Sequence, residues 1–230
     1  MGTTLYKCTR DGRVTPYAHV AWPVRARQWT EPATPELCQS GWHLATEVGL
    51  SEHLVVGELW TAEGRGACAC AWDKISFEQA RLCTRIGTVT PSILKRLALD
   101  LAEHVLWVWE RTYPGDDRPR RAIEAARGYM EADGDATGVP ALVHAATAAA
   151  AYAAAYDAAA YTAAVAAGHA ATYATYATVG GTGAAAVATY AAAAVATAAA
   201  APFSTAYTAA QAEERAWQCS HIVEVVGASS

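Results

Sequence analysis

Ala151-Tyr152-Ala153-Ala154-Ala155-Tyr156-Asp157-Ala158-Ala159-Ala160-Tyr161-Thr162-Ala163-Ala164-Val165 samples a longer stretch, Val139 to Gln211. That stretch is built almost wholly of Ala, Tyr, Thr, Val and Gly, and Asp157 is the one charged residue between Pro140 and Ala210. Ala has the highest helix propensity, and Thr and Tyr lower it only slightly. The stretch therefore reads as helices whose Ala faces approach closely, with Tyr and Val filling the gaps. Tyr152 and Tyr156, four apart, share a helix face. Val179-Gly180-Gly181-Thr182-Gly183 and Ala201-Pro202 mark breaks. Leu, Ile and Phe are nearly absent and no basic residues flank the run, which argues against a membrane span. The Thr spacings, at Thr172, Thr175, Thr178, Thr182 and Thr189, are too irregular for an ordered ice-binding face.

Upstream, Thr90-Pro91 is a helix start, with Thr as cap and Pro at the first helical position. Ile93, Leu94, Leu97, Leu101, Val105 and Val108 recur at helical spacing as far as Tyr113. Pro114-Gly115 stops that helix. Asp116-Asp117-Arg118-Pro119 opens another, ending near Asp133-Gly134. Downstream, Thr205 to about Cys219 reads as a last long helix, with Ile222 to Val226 as a tail.

Before residue 90 the pattern changes. Leu5 to Thr9 reads as a strand, Asp11-Gly12 as a turn, and the Pro- and Trp-rich section Pro16 to Pro35 as non-helical. Leu37 to Leu44 is a turn into a strand, and His53 to Glu63 holds one or two more. Gly64-Arg65-Gly66 reads as a hairpin tip, followed by strands at Cys68–Trp72 and Arg81–Ile86. Together these make a small β-rich domain with an aromatic core.

The 230 residues carry a formal net charge of −5, with no basic run, which argues against a nucleic-acid partner. No apolar export segment follows Met1, so the six cysteines point to free thiols in a reducing cytoplasm. Cys68 and Cys70 alternate along a strand and so share a face. That suits buried core thiols, or a zinc site with Cys38, Cys83 and His43, although two spaced Cys pairs are missing. His43 is either a structural His or a catalytic one. Gly41 to Thr46 looks a little like part of an ADP-ribosyltransferase-type NAD pocket, without the paired Arg or Glu motif that would accompany it. No cofactor is expected.

The charged run Asp116, Asp117, Arg118, Arg120 and Glu124 reads first as a helix cap with local ion pairs. Two resemblances add to this. Tyr6-Lys7, Trp22-Pro23, Trp29, Leu37-Cys38, Gly41, His43, Leu59-Trp60, Glu63-Gly64, Lys74 and Ala80-Arg81-Leu82 resemble an uncharacterised small domain of actinobacterial and phage proteins. From about Ser92 to Val226 the chain resembles the Imm-5-like immunity proteins associated with bacterial polymorphic toxins. Leu99–Leu106 with Glu110 and Tyr113-Pro114, then Asp116–Arg127, Ala166–Ala170 and Ala212–Gln218, carry that resemblance in order. It implies a binding protein rather than an enzyme, with a toxin as partner. Asp116, Asp117, Arg118, Arg120, Glu124 and His169 are then the candidate contact residues. Where that family's pattern calls for charges on the Ala-rich helices, this chain has Tyr and Thr, an uncharged surface that would also suit self-association into a homo-oligomer.

The expected architecture is α+β: a small β-rich N-terminal domain over residues 1–88, followed by an Ala-rich all-α helical bundle over residues 90–226.

Overall fold

A computed structural model of the chain describes residues 4–10, 13–16, 20–23, 25–131 and 205–229, without the side chains at 105, 108, 129 and 205–211. The Ala-rich stretch as far as residue 204, His169 included, lies outside the described residues, as does the Asp11-Gly12 turn.

The chain divides into two compact units, Met1–Thr90 with Arg215–Ser230, and Pro91–Glu214. The first unit is a closed four-stranded antiparallel barrel. Its strands are β1 (Leu5–Thr9), β2 (Trp42–Ala45), β3 (Gly57–Cys70) and β4 (Lys74–Val89), ordered β1-β2-β4-β3. A short 3-10 helix, Glu47–Glu52, follows β2, with the Thr46 hydroxyl capping it by accepting from the Gly49 amide. Leu5, Trp22, Leu44, Trp60, Ala62, Ala80 and Leu82 form the barrel core, with Trp42, Ile75 and Phe77 packed against them. Trp22 and Trp42 meet edge to face, ring centroids 4.9 Å apart, the arrangement aromatic quadrupoles favour. β2 reaches β4 only from Lys74 to Phe77. Beyond it the Trp-rich section supplies partners: the Arg27, Thr30 and Ala33 amides donate to the Leu82, Ala80 and Glu78 carbonyls.

Two expectations about the barrel change. Gly64-Arg65-Gly66 is no hairpin tip; it lies inside the 14-residue β3. The reversal is at Ala71–Asp73, closed by the Ala71 amide on the Lys74 carbonyl. Gly66 takes φ +80° beside a register shift between Arg65 and Cys68, the mark of a β-bulge. Gly64 is needed for another reason: a Cβ there would lie 2.2 Å from the Phe77 ring. Cys68 and Cys70 are exposed, not core thiols. β1 pairs β3 only from Glu58 to Ala62, so its far end has β4 alone as a strand neighbour.

In the second unit, α1 (Pro91–Thr112) buries Ile93, Leu94, Leu97, Leu101 and Trp109, and α2 (Arg118–Glu131) buries Ala122, Ile123 and Ala126. Gly115 at φ +95° makes the turn between them. α3 (Thr205–Gly227) runs eight residues past the end expected near Cys219.

A β-rich domain followed by an all-α bundle is therefore not the architecture. The described residues hold three α-helices and one 3-10 helix, and the unit boundary falls within α3. From Arg215 on, α3 belongs to the barrel unit. The cause is its apolar side: Cys219, Ile222, Val225 and Val226 are 5%, 1%, 3% and 0% exposed. Each such burial is worth ~1.5–3 kcal/mol, which an exposed tail would forgo.

Candidate functional site

Of the candidate contact residues, Asp116, Asp117 and Arg118 lie where the α1–α2 turn enters α2, and Arg120 and Glu124 lie further along α2. The Asp117 carbonyl accepts from the Arg121 amide and closes the first turn of α2. The Asp116 carboxylate accepts from the Arg118 guanidinium, 2.8 Å from its Nε and 2.5 Å from its Nη2, and from the Arg118 amide at 3.3 Å. The Arg118 hydrogen bonds hold the Asp116 carboxyl below its usual pKa, against the opposing effect of burial. The Trp109 indole of α1 donates to the Asp116 carbonyl at 2.8 Å, tying the turn to the helix before it. Arg120 leaves this cluster; its Nε donates to Glu110 of α1 at 2.6 Å. Asp117 and Glu124 are exposed. The turn thus brings Asp116 and Arg118 into direct contact and does not bring Arg120 to them.

Further pairs tie the same unit together. Arg127 of α2 bridges Asp100 at 2.8 Å and Glu103 at 2.6 Å, both on α1. His104 of α1 lies 3.0 Å from the buried Glu214. On the outside of α1, Trp107 is 47% exposed, with the Arg111 guanidinium 4.8 Å from its ring centroid.

In the barrel unit, Arg215 and Glu52 form an ion pair at 2.8 Å, their side chains 4% and 9% exposed. The Ser51 hydroxyl links to this pair: Arg215 Nη1 donates to it, and it donates in turn to Gln218 Oε1, each at 3.3 Å. The Arg215 guanidinium also lies 5.3 Å from the Trp72 ring centroid.

His43 has its Nε2 accepting from the Cys38 amide at 3.0 Å. Burial, with the charges of Lys7 and Lys74, pushes its pKa below the ordinary value, so it is neutral with the proton on Nδ1. Trp42, its neighbour in the NAD-like segment, donates its indole N–H to the Glu31 carbonyl. Lys7 donates to the His43 carbonyl at 2.9 Å, and burial drives its pKa down to about 8. Burial likewise lifts the Cys8 thiol to about 11. His53 meets Asp73 at 2.8 Å; burial lowers the His53 pKa despite that bond, so the imidazole donates as a neutral group. Cys38, Cys68, Cys70, Cys83 and His43 do not converge: among the described residues no three His, Cys, Asp or Glu side chains are placed to hold a metal. No helix among them is long and apolar enough to cross a membrane.

The sequence model of the family described as "Imm-5 like putative immunity protein" matches residues 86–225. The chain belongs to this family. No curated protein and no solved structure matches the chain. The match to the Imm-5-like family begins in β4, and it takes in the segment of α3 that packs into the barrel unit. The segments that resemble the family in sequence supply the ion pairs above: Asp100, Glu103 and His104 from one, Arg127 from another, Glu214 and Arg215 from the last. In this Imm-5-like chain those charges act between elements of the scaffold. The charged residues of these three segments carried the family resemblance in the sequence, but their pairing was not legible there. Nothing in the sequence singled out Glu52 as the partner of Arg215.

Proposed function

We propose that this Imm-5-like protein is a cytoplasmic immunity protein that binds a cognate bacterial toxin and neutralises it by occlusion, without catalysis of its own. The family match over residues 86–225 carries this reading. The described side chains support the non-catalytic part, since the ring Nε2 of His43 is engaged by a backbone amide.

The contact surface we assign is the outer face of α1 with the α1–α2 turn. Glu103, Trp107 and Arg111 are spaced four apart and Glu110 lies three from Trp107, so they share a helix face. Trp and Arg are the residues over-represented at interface hot spots, and the Arg111–Trp107 stack pre-positions both. Asp117 and Glu124, exposed nearby in sequence, add acid to the rim. Arg118 and Arg120 are each held by a carboxylate of this chain, so they contribute fixed ion pairs rather than free cations.

The test is affinity capture of the tagged full chain from its host, followed by reconstitution with the purified captured protein. The expected result is a stoichiometric complex that Trp107→Ala weakens. A captured protein that binds the Trp107→Ala variant as tightly as the parent would refute the surface. A parent that forms no stoichiometric complex with any toxin domain would refute the function.

A further inference from the structure

Two thiols stand apart from everything the proposed function uses. Cys68 and Cys70, at the far end of β3, are both exposed, and their sulfurs lie 4.0 Å apart. Of the other four cysteines, Cys8 and Cys219 are buried, Cys83 is partly buried, and Cys38 is exposed. We propose that Cys68 and Cys70 form a two-thiolate site for a soft, thiophilic cation of the Cu(I) class.

The geometry separates this from a disulfide. Residues i and i+2 of a strand are ~6.6 Å apart along the chain, at the outer limit of the Cα separation a disulfide spans (~4.4–6.8 Å). Closing the sulfurs from 4.0 Å to a bond of ~2.05 Å would bend β3 away from its pairing with β4. A metal needs no such movement. Metal–sulfur bonds of ~2.3 Å place two sulfurs ~3.8 Å apart at a tetrahedral angle and ~4.6 Å apart when the ion is collinear with them. The observed 4.0 Å is shorter than the collinear separation that two-coordinate Cu(I) prefers, and small χ1 rotations of the two exposed thiols close that gap without moving the β3 backbone.

The surroundings select the kind of ion. Cys68 is paired with Phe77 and Cys70 with Ile75, so the thiols share a sheet face with two apolar side chains. No third His, Cys, Asp or Glu joins them among the described residues. Zinc favours four ligands, and calcium and magnesium favour oxygen, whereas soft thiolate ligands favour Cu(I). Binding replaces two S–H bonds by two S–metal bonds and releases two protons, leaving a site of net charge −1.

The test is anaerobic titration of the reduced full chain with Cu(I) against a chromogenic Cu(I) chelator. Cys68→Ser, Cys70→Ser and Cys38→Ser variants run alongside, with circular dichroism confirming that each is folded. The parent and Cys38→Ser should take up one equivalent as monomers, and Cys68→Ser and Cys70→Ser should each bind more than ~100-fold more weakly. Absence of binding by the parent, equal binding by the Cys68→Ser and Cys70→Ser variants, or one metal ion shared between two chains would each overturn the assignment.

Discussion

Replacing Arg215 by Ala removes one half of the pair it makes with Glu52, a carboxylate only 9% exposed in the native fold. Exposed ion pairs contribute ~0–1 kcal/mol, but breaking a buried one strands a charge and costs ~3–5 kcal/mol. The Arg215–Glu52 pair belongs to the second kind, because 4% and 9% exposure leaves little water to screen either member. Two weaker contacts go with it, the 3.3 Å bond to Ser51 and the stacking on Trp72. Every tenfold change is ~1.4 kcal/mol, so amides of β3 and β4 should exchange roughly 10²- to 4 × 10³-fold faster in Arg215→Ala, since exchange from the unit's most stable elements tracks its global opening. Hydrogen exchange followed by mass spectrometry resolves these strands from α1 and α2, which bulk fluorescence would not. Glu52→Gln/Arg215→Met, with neutral groups of similar size on both sides, should recover most of the loss. An Arg215→Ala variant whose barrel amides lose less than about tenfold in protection would refute the reasoning. The C-terminal turns of α3 would then be an accessory to the barrel unit, not part of it.

Gly64→Ala sets a Cβ 2.2 Å from the Phe77 ring and should destabilise the barrel by ~1–3 kcal/mol in urea melts, the usual cost of overpacking. Lys7 has a folded pKa of about 8 against an ordinary 10.5. The unfolded chain therefore binds more protons between these values, and the Lys7 contribution to stability rises with pH through that window. Lys7→Met lacks this slope, so the stability difference should move toward the parent by ~2 kcal/mol between pH 8 and 10, measured by urea titration at each pH. Trp107→Ala should change stability by less than ~0.5 kcal/mol, as at other exposed positions, while weakening partner binding by ~2 kcal/mol or more in calorimetry.

Strands, turns and helix starts were legible where local chemistry decides them. Leu5–Thr9 is β1, Thr90-Pro91 does open α1, and Pro114-Gly115 does end it. What misled was chemistry whose outcome depends on distant chain. Two glycines around Arg65 signal a turn locally, yet here one clears space for Phe77 and the other makes a bulge. Cys68 and Cys70 alternate as core residues do, but whether that face is covered depends on the length of β1, some 60 residues away in sequence. Ile222 to Val226 is too short an apolar run to name its destination, and it continues α3 into the barrel unit. The ion pairs were half legible. Asp116 with Arg118 follows from neighbours in sequence, whereas Arg215 with Glu52 joins residues far apart in it, and no local pattern encodes that.

The central claim is neutralisation of a toxin. It is tested most directly by growth of cells expressing the captured partner from an inducible promoter, with and without this chain. The partner alone should arrest growth, the full chain should restore it, and Trp107→Ala should restore it less at equal abundance. Arrest that persists with the full chain present and folded would contradict the account.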